Sequence, residues 1–179
     1  NRVDVAIITY GTDVQVVSGF APVTKMPDLE LQAGGEAEMA EGIQTAIDLI
    51  KDRRKLYQSI GAPDYKPHIF MITNGKSTSS EENMQKAIQR IRTEEERGLN
   101  GQLSFWAVGA GECDMATLFQ MTKKVLKIEE VDFVGAFDWL GGWGSMSEDT
   151  VVHGKVSFGS LPENARKTEK DRAIGEDWN

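Results

Sequence analysis

Two glycine-rich turns and a thin scatter of titratable side chains are the places where this chain of 179 residues could do chemistry. Gly109-Ala110-Gly111 precedes Asp114, and Glu129 and Glu130 follow at about the distance where a dinucleotide fingerprint carries its ribose-binding acid. That fingerprint uses three glycines to bring backbone against a pyrophosphate at the head of a helix. The third glycine is missing here, and the helix expected from Asp114 is short, so a tight strand-to-helix turn is the simpler reading. A nucleotide-using enzyme built on the Gly109-x-Gly111 turn stands as an alternative. Gly75-Lys76-Ser77-Thr78 imitates the end of a phosphate-binding loop, but Phe70 occupies the place of the leading glycine. His68 and His153 have no cysteine or second histidine beside them, which leaves structural or exposed roles. Cys113 is the only cysteine, so neither a disulfide nor a cysteine zinc cluster can form within one chain. No spacing suggests a Ser-His-Asp or Cys-His nucleophile. No catalytic residue is expected.

The composition narrows the partners. With 40% hydrophobic and 27% charged residues, the chain suits a soluble globular domain with a tail. A net charge of −8 argues against nucleic acid, because phosphate binding needs a basic face. No apolar run approaches the ~20 residues of a membrane helix. Asn1 to Asp4 hold neither an initiator Met nor a signal peptide and lead directly into an apolar strand, which reads as a start inside a domain.

Elements that would position these residues follow from periodicity. Val3 to Thr9 reads as a buried strand, Tyr10 to Asp13 as a turn, and Val14 to Val17 as its hairpin partner. Residues 19 to 35 read as a loop. Met39, Ile43, Ala46, Ile47, Ile50 and Tyr57 predict a helix from 39 to 58 that Gly61 and Pro63 close. His68 to Thr73 is the next buried strand. Ser79 and Glu82 have the spacing of a capping box for a helix with Met84, Ala87, Ile88 and Ile91 on one face. Leu103 to Val108 is a third buried strand, and Asp114 caps a short helix bearing Met115, Leu118 and Phe119. Val125 to Ile128 closes the strand series. Asp132 caps a last helix with Phe133, Phe137 and Leu140 inward, on which Trp139 and Trp143 serve either core packing or partner docking. Strands alternating with helices predict an α/β, doubly wound, mostly parallel sheet. From Ser147 the alternation stops. Lys155 to Phe158 is strand-like, and 148–179 is expected to be a partly flexible extension.

The order of five segments is similar to that of von Willebrand factor A domains, and most of all to the stand-alone bacterial ones associated with tellurium resistance. They are Val5-Ala-Ile-Ile-Thr-Tyr-Gly11, Gly34-Gly35 before a long helix, Phe70-Met-Ile-Thr-Asn-Gly75, Phe105-Trp-Ala-Val-Gly-Ala-Gly111 and Phe137-Asp-Trp-Leu140. The resemblance spans about residues 2 to 147 and implies a Rossmann-like domain over 1–147 whose first, central strand is absent. It places that strand between those at Val3 and His68. Residues upstream, another chain or a rearrangement would then have to satisfy the two edges.

In that family a magnesium ion is held by an Asp-x-Ser-x-Ser motif, a Thr before the long helix and an Asp after the strand ending here at Thr73. The first motif occurs nowhere in this chain. The Thr position falls on Ala37 and the Asp position on Asn74, a methyl and a neutral amide where a small dehydrated cation needs hard oxygen and negative charge. A one-residue shift would set Glu36 or Glu38 beside the site as compensating ligands. No cofactor is expected for this chain, and magnesium only for a domain with the absent segment restored. The resemblance therefore implies a non-catalytic, cytoplasmic protein-interaction module in a stress or tellurium-resistance system, with a degenerate metal site. Its protein partner would meet a rim of Gly34, Gly35, Gly75, Lys76, Ser77, Gly111 and Glu112.

Overall fold

The computed structural model describes residues 3–26, 35–97 and 101–128, and the backbone of 165–167. The expected Asp132 helix, both of its tryptophans, Gly34 and the strand-like 155–158 lie outside these residues. The described residues divide into two compact units, one of Arg2–Ile69 with Lys76–Phe105, the other of Phe70–Gly75 with those from Trp106 onward.

In the first unit the apolar run at the start forms β1 (Asp4–Tyr10), which pairs antiparallel with β2 (Val14–Pro22). Gly11 donates to the Asp13 carbonyl to close the turn. β1 was expected to be buried, yet it is half-buried along its length. Among the described residues it has a strand partner on one edge only. The expected loop from residue 19 also gives way, because β2 continues to Pro22. Ala21 and Pro22 pair with Val5 and Asp4, and the Arg53 guanidinium lies 5.7 Å from the Phe20 ring centre. From Val5 to Ile7 the chain advances two residues while β2 advances three, and from Ile7 to Ile8 one against two. β2 is therefore the bulged strand, and bulges twist an edge away from further pairing.

α1 (Met39–Ser59) buries Met39, Ala40, Ile43, Ile47 and Ile50, the stripe that a 3.6-residue period dictates. Gly42 lets it approach the hairpin, since a Cβ there would stand 2.9 Å from that of Tyr10. α2 (Glu81–Glu96) packs beside α1 through Met84, Ala87, Ile88 and Ile91. Polar ties frame this apolar seam. Arg90 reaches Gln44 and Asp48, and Lys51 pairs with the nearly buried Glu94. At the other end of α1, Arg53 pairs with Asp4, while Arg54 grips Asp64 at 2.7 and 2.8 Å and the Gln102 side chain at 2.7 Å.

The larger sheet, most of whose residues belong to the second unit, runs in the order β3 (His68–Thr73), β4 (Ser104–Ala110), β5 (Val125–Ile128), β6 (Ala165–Lys167). β3, β4 and β5 are parallel, with Ala107 to Ala110 opposite Val125 to Ile128. Every residue of β4 from Ser104 to Gly109 is buried, as a strand covered on both faces requires. Phe70 stacks on Trp106 at 6.0 Å between ring centres. α3 (Met115–Met121) adds Leu118 and Met121 to the core. β6 belongs to the segment expected to be an extension, and it runs antiparallel beside β5.

The chain is thus α/β with a three-stranded parallel sheet and three described helices, compatible with a Rossmann-like fold. The strands do not make one sheet among the described residues: the β1–β2 hairpin and the sheet starting at β3 are separate. No described helix is long and apolar enough to cross a membrane.

Candidate functional site

The residues proposed from sequence fall into two clusters, one in each unit. In the first, three segments meet: Gly11-Thr12 after β1, Gly35 to Glu38 before α1, and Ser77 to Ser79 before α2. Backbone leaving a strand must find hydrogen-bond partners, and here hydroxyl side chains supply them. The Glu36 amide donates to Thr12 Oγ1 at 3.3 Å and the Glu38 amide to the Gly11 carbonyl at 3.1 Å. Ala37 is held from both sides. Its amide donates to Thr78 Oγ1 at 3.0 Å, and its carbonyl accepts from the Thr78 amide at 3.0 Å and the Ser77 hydroxyl at 3.2 Å.

Ser79 completes the frame. Its hydroxyl accepts from the Ala40 amide at 3.1 Å and donates to Glu38 Oε2 at 3.0 Å. The Glu38 side chain itself makes no capping bond to α1, so a residue 39 positions away caps that helix. This corrects the expected Ser79–Glu82 capping box. The N-cap of α2 is Ser80, whose oxygen accepts from the Asn83 amide at 3.3 Å. Gly35 has φ 78°, and a Cβ on it would stand 2.7 Å from Thr12 Oγ1, so a glycine is needed where the loop crosses that side chain. Beside the frame lies an open polar recess of 310 Å³ lined by Glu38, Ala40, Glu41, Gln44 and Asn83.

The second cluster joins Asn74 and Gly75 to the turn after β4. The Asn74 carbonyl accepts from the Asp114 amide at 2.8 Å, and the Gly75 amide donates to Thr73 Oγ1 at 3.1 Å. Gly75 has φ 77°, and a Cβ there would stand 2.6 Å from the Asp114 carbonyl oxygen. Asp114 caps α3 as expected, accepting from the amides of Ala116 and Thr117. The Thr117 hydroxyl, followed by those amides, holds the Asp114 carboxyl below the usual aspartate range. Gly111 takes φ 62° in open space, with Glu112 exposed next to it. Gly109 has a packing role: a Cβ there would stand 2.7 Å from Cys113 Sγ and 3.0 Å from Leu118 Cδ1. With only seven residues in α3, this turn lacks the long helix of a dinucleotide site.

The donor set of the first cluster does not fit a magnesium ion. Ala37 presents a methyl group, and the Ser77 and Thr78 hydroxyls are directed to its backbone. The Glu38 carboxylate engages Ser79, and Glu36 is exposed. A magnesium site wants carboxylate oxygens in near-octahedral array. Among the described residues no three His, Cys, Asp or Glu side chains converge to hold a metal. The Thr12, Ser79 and Glu38 contacts were missed from sequence. Only the density of hydroxyl residues in Ser77-Thr78-Ser79-Ser80 hinted at them.

What fold and site define together is an α/β chain with hydrogen-bonded loops at a strand-to-helix rim. No family model and no curated protein matches the chain.

Proposed function

We propose that the chain is a non-catalytic protein-interaction module of the von Willebrand factor A type, with a degenerate metal-ion-dependent adhesion site. Its setting in this reading is the cytoplasm of a bacterium, in a stress or tellurium-resistance system, with a protein as partner. The observation that carries the reading is the frame in which Thr12, Ser77, Thr78 and Ser79 pin Glu36, Ala37, Glu38 and Ala40. A rim ordered before binding loses little conformational entropy when a partner docks. The hydroxyls that such a rim could offer to a cation are directed instead to its own backbone and to Glu38, which favours contact without metal. The succession of hairpin, helix, strand, helix, strand, helix and strand is the order that the resemblance implies.

The test is capture of partners from a bacterial lysate by the intact chain and by a Glu36→Lys, Glu41→Lys variant, both exposed beside the frame, followed by titration of the purified partner. Binding should weaken about tenfold or more in the variant, because two charges at the rim are reversed. A purified partner that binds both forms equally would refute the rim as the surface. Millimolar magnesium should leave the melting midpoint unmoved. A rising midpoint would instead support the adhesion-site alternative with Glu36 or Glu38 as ligands, and saturable nucleotide binding would support an enzyme at the Gly109 turn.

A further inference from the structure

We draw no further inference here: the strongest candidate, the exposed outer edge of β2 around Gln15, Val16 and Val17, is bent by two register shifts that leave little regular strand for pairing, and nothing among the described residues shows what covers it.

Discussion

Replacing Ser79 by alanine tests the frame most directly, because sequence and structure assign this hydroxyl to different helices. In the structure it accepts from the Ala40 amide at 3.1 Å and donates to Glu38 Oε2 at 3.0 Å. Ala40 is 3% exposed, so its amide would be left without a replacement partner from water. Loss of a helix cap costs about 1 kcal/mol. A hydrogen bond to a charged carboxylate adds roughly 1–2 kcal/mol. The sum is about 2–3 kcal/mol, which for a chain of this size lowers the melting midpoint by roughly 4–12 °C. Ser80→Ala removes only the exposed 3.3 Å cap of α2 and should cost about 0.5–1 kcal/mol. Thermal unfolding of both variants, with amide hydrogen exchange read at Ala40 and at Asn83, separates the two assignments. Ser79→Ala should speed exchange at Ala40 and leave Asn83 protected. If it deprotects the first turn of α2 instead, or costs no more than Ser80→Ala, Ser79 does not cap α1 and the frame is wrong.

Three further outcomes follow from particular contacts. Gly75→Ala should destabilise by at least about 2 kcal/mol, since the left-handed backbone alone costs roughly 1–2 kcal/mol and the methyl would meet the Asp114 carbonyl. Gly111→Ala, in open space at a similar φ, should cost only the backbone part, and equal losses in urea unfolding would contradict the Gly75 contact. Arg54 and Asp64 are each less than a quarter exposed and bidentate, so a double-mutant cycle to alanine should give a coupling of about 1–2 kcal/mol. A coupling of zero would show that α1 is not tied there.

Asp48 supplies the pH prediction. The Arg90 hydrogen bond lowers its carboxyl pKa against a smaller opposing effect of burial. A lowered folded pKa means stability that is present above the unfolded value and lost as pH falls through the folded one. Asp48 is 62% exposed, so screening keeps this contribution small. An NMR titration should find the carboxyl below the ordinary aspartate range in the native chain and back toward it in Arg90→Met; unchanged titration would place Arg90 elsewhere.

The elements were legible where one physical signal dominated. His68 to Thr73 was expected and is observed with the same ends, because a short β-branched run between Pro67 and Asn74-Gly75 has no competing reading. The stripes of α1 and α2 were equally plain. The end of β2 was not, because Gly19 and Pro22 read as loop signals while the strand is held by Val5, Asp4 and the Arg53–Phe20 contact. Those partners are distant in sequence, and tertiary context overrides local preference in strands. Ser79 failed for a different reason. Ser-x-x-Glu is a true capping signal, but Ser80 with Asn83 meets the same local need one residue later. That leaves Ser79 available to Glu38 and Ala40.

Ala37 and Asn74 looked like damaged metal ligands, judged by their side chains. In the structure Ala37 is tied through its backbone, donating to and accepting from Thr78, and the Asn74 carbonyl accepts from the Asp114 amide. Position 37 tolerates a methyl, because its hydrogen bonds are made by main-chain groups and the side chain is not part of them. The hydroxyls of Ser77 and Thr78, which could offer oxygen to a cation, are committed to that backbone bonding. A cation site at this loop would need an oxygen-bearing side chain at position 37, and the Thr78 and Ser77 bonds would have to break. The hydrogen bonds that fix this loop are thus made by the same oxygens that a cation would need.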